Sequence, residues 1–239
     1  MILDRVNRQA VVSLDELVQL LESSESTIRR DLDELEAQGQ LKRVHGGAES
    51  LKRLREEESI GEKSIKQVKE KEALAQKAAS LVQDQDVIFI DAGTTTQLLI
   101  EALPQINIRV VTNSIHHASR LVERGFETII IGGLVKAVTD ASVGGVALNQ
   151  INSLNFDKAF MGMNGVNSDF ITTPEMEEGA VKRAIIENAG KTYVLVDDSK
   201  IGSTSFVKVA PIKRVSVITN SSSSELLEII KGRTEVIEV

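Results

Sequence analysis

The apolar positions change period partway along the chain. Within the first fifty residues they fall at helical spacing. Leu14, Leu17, Val18 and Leu21 recur at i, i+3, i+4 and i+7, one face of an amphipathic helix. Ser13 stands before that run and Glu16 follows it by three residues, the spacing of a capping box. Glu22 and Ser23 then read as a short turn. Ser24 reads as the cap of a second helix, with Ile28, Leu32 and Leu35 on its buried face. Gly39 is placed to end that helix in the left-handed conformation. Two short helices around a tight turn make a helix-turn-helix. Residues 39–47 (GQLKRVHGG) alternate and end in Gly-Gly, which predicts a small β-wing.

From about residue 73 the pattern becomes short apolar runs of buried-strand type. They are VIFI (87–90), RVVT (109–112), TIII (128–131), KAFMGM (158–163), TYVLV (192–196) and VSVIT (215–219). Helical stretches at 73–82, 95–102, 115–124, 174–189 and 223–231 lie between most of them. This alternation predicts the α/β class, a mostly parallel sheet with helices packed on it. Ligands of such sheets bind at the carboxyl ends of the strands. Residues 51–72 are highly charged with few apolar anchors, which predicts a largely helical, solvated linker. The predicted organisation is a winged helix-turn-helix at 1–50, a linker at 51–72 and a larger α/β domain at 73–239.

Composition narrows this picture. At 239 residues the chain is too long for one winged-helix module and suits one small and one medium domain. With six Phe, one Tyr and no Trp, the core must be built from Ile, Leu, Val and Ala. No apolar run reaches the length that spans a bilayer, and the start lacks a secretory pattern. Without cysteine, disulfides and thiolate metal sites are excluded. A cytoplasmic protein with no membrane partner is expected. Of the three histidines, His45 belongs to the wing, and adjacent His116 and His117 diverge on a helix. No metal pattern results, and no cofactor is expected.

A net charge of −7 looks wrong for a nucleic-acid binder, and the first 55 residues carry nine Lys/Arg against ten Asp/Glu. Local distribution matters more, because affinity comes from the phosphates contacted. The start of the second helix enters the major groove in helix-turn-helix proteins. There Ser26, Thr27, Arg29 and Arg30 are candidate contacts, with Arg able to bind guanine bidentately. Asp31, Asp33, Glu34 and Glu36 can lie on other faces of that helix. Lys42, Arg43 and His45 of the wing are candidate phosphate contacts. Paired arginines alone are more often a solvated face. Cap, turn and wing together favour double-stranded DNA as the partner.

In the α/β region the most informative loop is Asp91-Ala92-Gly93-Thr94-Thr95-Thr96. It follows VIFI directly and opens a helix. A small, hydroxyl-rich strand-to-helix turn presents free amides at the positive end of a helix dipole, a ready phosphate site. It is neither the GxGxxG fingerprint nor a Walker motif. A small phosphate ester is therefore expected rather than a nucleotide. Taken alone, the loop reads equally well as a Thr-capped helix start. Other strand-end loops add Asn113, Gly132 and Gly133, Asn164 and Gly165, and Lys200 as candidate ligand contacts. Lys182 and Lys200 are each more often plain surface lysines. Lys200 is favoured because it closes a strand-end loop beside two acids.

The residues TIRRDL (27–32), Leu35-Glu36, Gly39 and RVHGGA (43–48) resemble the DeoR family of bacterial sugar-metabolism regulators. So do IFIDAGTTT, VVTNS, IGG, DKAFMGMNGV, TTPEMEEGAVKRAII and VLVDDSKIG in the larger domain, so the resemblance covers nearly the whole chain. Members usually begin with about ten further residues, which implies that this chain opens partway into a shortened first helix. The resemblance implies a sensor similar in fold to ribose-5-phosphate isomerase. It also implies an oligomeric repressor, dimer or tetramer, released from its operator by a small phosphorylated sugar. Among sugar regulators the chain looks most like fructose-operon repressors, making fructose 1-phosphate the first candidate effector.

Two other readings stand beside this one. A sugar-phosphate isomerase or deaminase needs a carboxylate base. Asp91, Glu175, Glu177, Glu178, Asp197 and Asp198 could supply one. Against it, Asn164 stands where the related isomerases carry an Asp-containing turn, and an enzyme has no obvious use for a winged helix. A ligand-independent DNA-binding regulator is the other reading, opposed by the Thr-rich loop and the Gly turns.

Overall fold

The computed structural model describes the chain except Ala10, residues 51–53 and Ser223, and leaves out the side chains of residues 4 and 7–9. The backbone divides into two compact units, Met1–Glu56 and Glu57–Val239.

The first unit runs α1 (Ile2–Gln9), β1 (Val11–Ser13), α2 (Leu14–Leu21), α3 (Glu25–Ala37), β2 (Leu41–Val44) and β3 (Gly47–Ser50). The capping box at the start of α2 is formed: Glu16 N–H donates to Ser13 Oγ at 3.2 Å, and Ser13 N–H to Glu16 Oε2 at 2.9 Å. Glu22 takes the left-handed conformation in the turn between the helices, and Gly39 does so after α3. β2 and β3 form the wing, an antiparallel hairpin turning at His45 and Gly46. β1 adds to its other side, giving the order β1-β3-β2. Gly47 permits that approach, because a Cβ there would stand 2.1 Å from Val12 O. Ile2, Val6, Val12, Leu14, Leu17, Ile28, Leu32, Leu41 and Ala48 make a core separate from that of the second unit.

The second unit begins with α4 (Ile60–Ser64) and α5 (Val68–Ala79). It continues through β4 (Val87–Ile90), α6 (Thr94–Ala102), β5 (Arg109–Thr112), α7 (Ile115–Glu123) and β6 (Glu127–Ile130). β7 (Leu134–Val135), β8 (Ser142–Val143), α8 (Gly145–Ile151) and β9 (Phe156–Gly162) follow. Then come β10 (Gly165–Val166), β11 (Phe170–Thr173), α9 (Met176–Asn188), β12 (Ala189–Leu195) and β13 (Val207–Pro211). The chain ends with β14 (Ser216–Thr219), α10 (Glu225–Lys231) and β15 (Val236–Glu238). Seven strands form one parallel sheet in the order β15-β14-β12-β9-β4-β5-β6.

Alternation along each strand builds two cores, one on each face of that sheet. In β4, Ile88 and Ile90 pack with α5, α6 and α7. Phe89, between them, joins the core that includes α8, α9 and α10. The chain leaves β4 towards β5 and β6, then returns to β9 on the other side of β4 and continues away through β12. The sheet direction therefore reverses between β4 and β9, and a crevice opens at the carboxyl ends of those two strands.

Three features exceed the sequence expectations. β15 extends the sheet, and α8 precedes β9. An antiparallel sheet, β10-β11-β13, also takes residues 172 and 173 into a strand before α9 begins.

Candidate functional site

The structure brings some of the candidate residues of each unit together and separates others. In the first, Ser24 Oγ accepts the Thr27 N–H at 3.2 Å. The same hydroxyl lies 2.9 Å from Ser26 Oγ and 2.8 Å from Thr27 Oγ1. Both predicted hydroxyls are therefore exposed but already engaged with the cap. Arg29 is paired with Glu25 one turn back, Nη2 to Oε1 2.6 Å. Arg30 is exposed, with no ion pair or hydrogen bond among the described residues.

The wing departs from expectation at Arg43. Its guanidinium is half-buried between Asp33 Oδ1, at 3.5 Å, and Arg29 O, at 3.4 Å. Its amide donates to Glu36 Oε1 at 2.7 Å. Two of the α3 acids therefore face the wing rather than other sides of the helix, and they fasten Arg43 to α3. Lys42 is exposed, 4.0 Å from Glu49, and His45 stands exposed at the tip.

In the second unit, the β4–β9 crevice is bridged by a charge. Lys182 on α9 pairs with Asp91 Oδ2 after β4 and donates to Gly162 O at the end of β9, at 2.9 Å. Both side chains are buried. Burial works against the Lys182 charge, but Asp91, Glu178 and Glu57 outweigh it and hold the ammonium above its ordinary pKa. The expectation of a surface lysine is overturned at this position. Lys182 lies one helical turn after Glu178 on α9, and both side chains are buried. Glu178 in turn accepts from Thr139 Oγ1 at 2.6 Å.

The charged segment at 51–72 is a second correction. Residues 51–53 lie outside the described residues, but from Glu57 onward the segment belongs to the second unit. It is helical in α4 and α5, yet it is not solvated throughout. The Glu57 side chain is 9% exposed and pairs with Lys63. Its two carboxylate oxygens also accept from Asn164 Nδ2 at 3.2 and 3.1 Å. Asn164 Oδ1 accepts from Thr173 Oγ1 at 3.1 Å, so both ends of the amide are committed. Lys71, on α5, is buried, and its ammonium donates to Lys63 O. Burial lowers the Lys71 pKa; Asp197 opposes this, and Lys200 and Lys63 lower it further. Lys200 ends a short helical turn (Asp198–Lys200), and its amide donates to Asp197 O at 3.0 Å.

The predicted Thr-rich turn is present, with its parts divided between tasks. Thr96 is fully buried. Its hydroxyl donates to Asp91 O at 2.7 Å and lies 3.0 Å from Gly93 O, so it is not free for a ligand. Asn113 Oδ1 accepts the Ala92 N–H at 2.9 Å and holds the turn from the end of β5. Gly93, Thr94 and Thr95 remain at the head of α6, where first-turn amides lack helical partners. Gly165 allows tight packing beside the crevice, since a Cβ there would meet Ser203 O at 2.3 Å. Gly132 and Gly133 are not brought to the crevice. They follow β6, two strands from β4 and roughly 10 Å away at the usual strand spacing. The Gly132 N–H donates to Gln150 Oε1 at 3.1 Å.

One further group supports the turn. His117 on α7 is buried, and its Nε2 lies 3.2 Å from Gly93 O. Burial lowers its pKa to about 4, against the Gly93 carbonyl and Asp140. The ring is therefore neutral at pH 7 and donates from Nε2. Its Nδ1 is buried without a partner among the described residues. Sequence reasoning treated the two histidines alike, whereas the exposed His116 pairs with Asp140 at 2.9 Å.

Comparison with known proteins follows the same division. Residues 1–54 match the DeoR-like helix-turn-helix domain, and residues 66–221 match the DeoR C terminal sensor domain. The chain is 40% identical to an HTH-type transcriptional regulator, FruR, of Bacillus subtilis (strain 168), over 99% of this chain and 95% of that one. It is 33% identical to the lactose phosphotransferase system repressor of Staphylococcus aureus, over 98% and 95% of the two chains. Among solved structures, ribose 5-phosphate isomerase A of Methanocaldococcus jannaschii matches 55% of this chain and 53% of its own, with 20% identity and a TM-score of 0.41. No helix among the described residues is long and apolar enough to cross a membrane.

Proposed function

Because the chain belongs to the DeoR family of transcriptional regulators, we propose that it represses a sugar-utilisation operon and leaves its operator when a small phosphorylated sugar binds the second unit. Fructose 1-phosphate is the first candidate effector, in keeping with the similarity to FruR. The observation that carries the reading is Lys71. Lys71 is a buried ammonium that donates to the Lys63 carbonyl and has no ion pair among the described residues. Burial, Lys200 and Lys63 disfavour its charge while Asp197 favours it, and a phosphate dianion would add a direct counter-charge. The free amides at the head of α6 and the hydroxyls of Thr94 and Thr95 are further donors. Asp91, Lys182 and Asn164 suit sugar hydroxyls. We read the site as one that binds without turnover, in keeping with relatives over nearly the whole chain that are transcriptional regulators.

On the DNA side, Arg30 is the leading contact of α3, with Lys42 and His45 on backbone phosphates and Arg29 released from Glu25 as needed. Two or more copies associate to present winged helices to operator half-sites. The effector favours the arrangement with the wrong spacing, a two-state coupling.

Thermal unfolding against matched panels of sugar phosphates and the same free sugars tests the effector reading. A ligand that binds only the native state adds about 2.7 kcal/mol at a hundredfold excess over its Kd. A shift with one phosphate, absent with its free sugar and lost in Lys71→Met, is expected. No shift with any phosphate overturns it.

A further inference from the structure

Glu57 is a largely covered carboxylate beside Asn164, a residue assigned above to a ligand. It takes both oxygens to Asn164 Nδ2 and pairs with Lys63. It also lies close enough to Lys182 to raise the pKa of that ammonium. The segment that carries it is well seated. Ile60 N–H donates to Val138 O at 3.1 Å, and Ser59 with Glu62 forms a capping box at the head of α4. Glu57 is also the first residue of the second unit, directly after Glu56, the last of the first.

We propose that Glu57 is an internal occupant of the ligand site, seated on Asn164 and Lys63 by its carboxylate, which the anionic effector displaces together with residues 57–64, the start of the second unit. This deepens, and rests on, the effector reading above. An anion that uses Asn164 or Lys63 meets the Glu57 carboxylate at the same donors, and two negative groups there repel. One of them must leave, and the effector is the one not joined to the chain. Six residues separate Glu57 from the last strand of the winged helix, so its departure frees the chain close to the DNA-binding unit. Linkage then requires that the operator, by favouring the seated state, weakens effector binding by the same factor that the effector weakens operator binding.

The test is amide hydrogen exchange over residues 57–64 of the full chain, with and without saturating fructose 1-phosphate or whichever panel phosphate binds. Faster exchange on binding is expected. Slower or unchanged exchange overturns the proposal, because the segment would then close over the ligand or ignore it. A second arm uses Glu57→Gln, which keeps the shape and removes the charge. Its segment should exchange quickly without ligand, and it should bind the phosphate roughly tenfold more tightly, the size of one charged hydrogen bond. It should also bind more weakly to the duplex that the full chain selects from a random pool. Equal or weaker phosphate binding by that variant overturns the proposal. If the variant does not fold, exchange in the unsubstituted chain decides alone. Binding that leaves the segment unmoved sinks this inference and spares the effector reading. Absence of binding to every phosphate, in both proteins, sinks the two together.

Discussion

The cationic side chains singled out in the two units, Arg43 apart, sit in opposite surroundings. In the winged helix, Arg29, Arg30 and Lys42 are exposed, and the partners of Arg29 and Lys42 are exposed acids on the same small domain. In the sensor, Lys71 and Lys182 are buried, and Lys182 is matched by a buried carboxylate. An exposed pair in water is worth little and can be exchanged for a phosphate at little loss. A buried pair cannot be opened without leaving a charge in a poor solvent. The first arrangement suits a surface that must form and release DNA contacts. The second suits a site that must keep its shape until a ligand of the right charge arrives.

That contrast yields an ordered set of tests. The largest effect is expected for Lys182→Met, which leaves Asp91 buried and unpaired. It should lower the unfolding free energy in urea by about 3–5 kcal/mol. Adding Asp91→Asn should restore much of it, a coupling read from the double-mutant cycle. A single-variant loss below about 1 kcal/mol would mean that the pair is wet and the contrast between the units is false.

Next is the acid limb of stability. The folded pKa of His117 is about 4, below the 6.5 of an ordinary histidine. Between these values the unfolded chain takes up a proton that the folded one refuses. The contribution of the neutral ring is full above pH 6.5, falls with decreasing pH, and is gone below about 4. Its size is about 3 kcal/mol. His117→Gln, which can still donate to Gly93 O, should flatten that part of the urea midpoint against pH. An unchanged slope would assign the acid limb to other groups, Asp140 first, where burial is outweighed by Ser114 and His116, which hold its pKa down.

Arg30→Ala should cost about 1–3 kcal/mol in operator affinity and less than about 0.5 kcal/mol in stability. Arg43→Ala should reverse the ranking, losing stability through the guanidinium contacts to Asp33 and Arg29 O before affinity. Equal behaviour of the two would erase the distinction drawn within the wing. The smallest effect is expected for Glu25→Gln. Stability should move by less than about 0.5 kcal/mol, and operator affinity should rise slightly as Arg29 is freed, measured by titration at two salt concentrations.

What the sequence made legible was governed by the spacing of apolar residues. The alternation in VIFI and the spacing of Leu14, Leu17, Val18 and Leu21 report directly which face is buried. β13, with Lys208 and Pro211, and the two-residue β10 are too short and mixed to carry such a signal. β15 lies at the edge of its sheet with only Val236 and Ile237 to mark it. The site was legible where a strand-end loop has its own chemistry, as at Asp91 and Gly93. It was illegible at Glu57, Lys71 and Lys182, because a charged residue buried by tertiary pairing looks, along the chain, like any surface charge. Gly132 and Gly133 misled for the opposite reason: a strand-end position says nothing of how far that strand lies from the crevice.

The crevice also has a history in time. Its two walls, β4 and β9, pair through residues 70 positions apart along the chain. By contrast, β4, β5 and β6 join through neighbouring βαβ units. Non-local pairing must first meet the entropy of closing a long loop, so the ligand pocket is expected to form after the local β4-β5-β6 units. Chains still awaiting that closure have no effector site to occupy. Sugar phosphate would then leave the folding rate alone and slow unfolding, lengthening the lifetime of each completed sensor rather than hastening its birth.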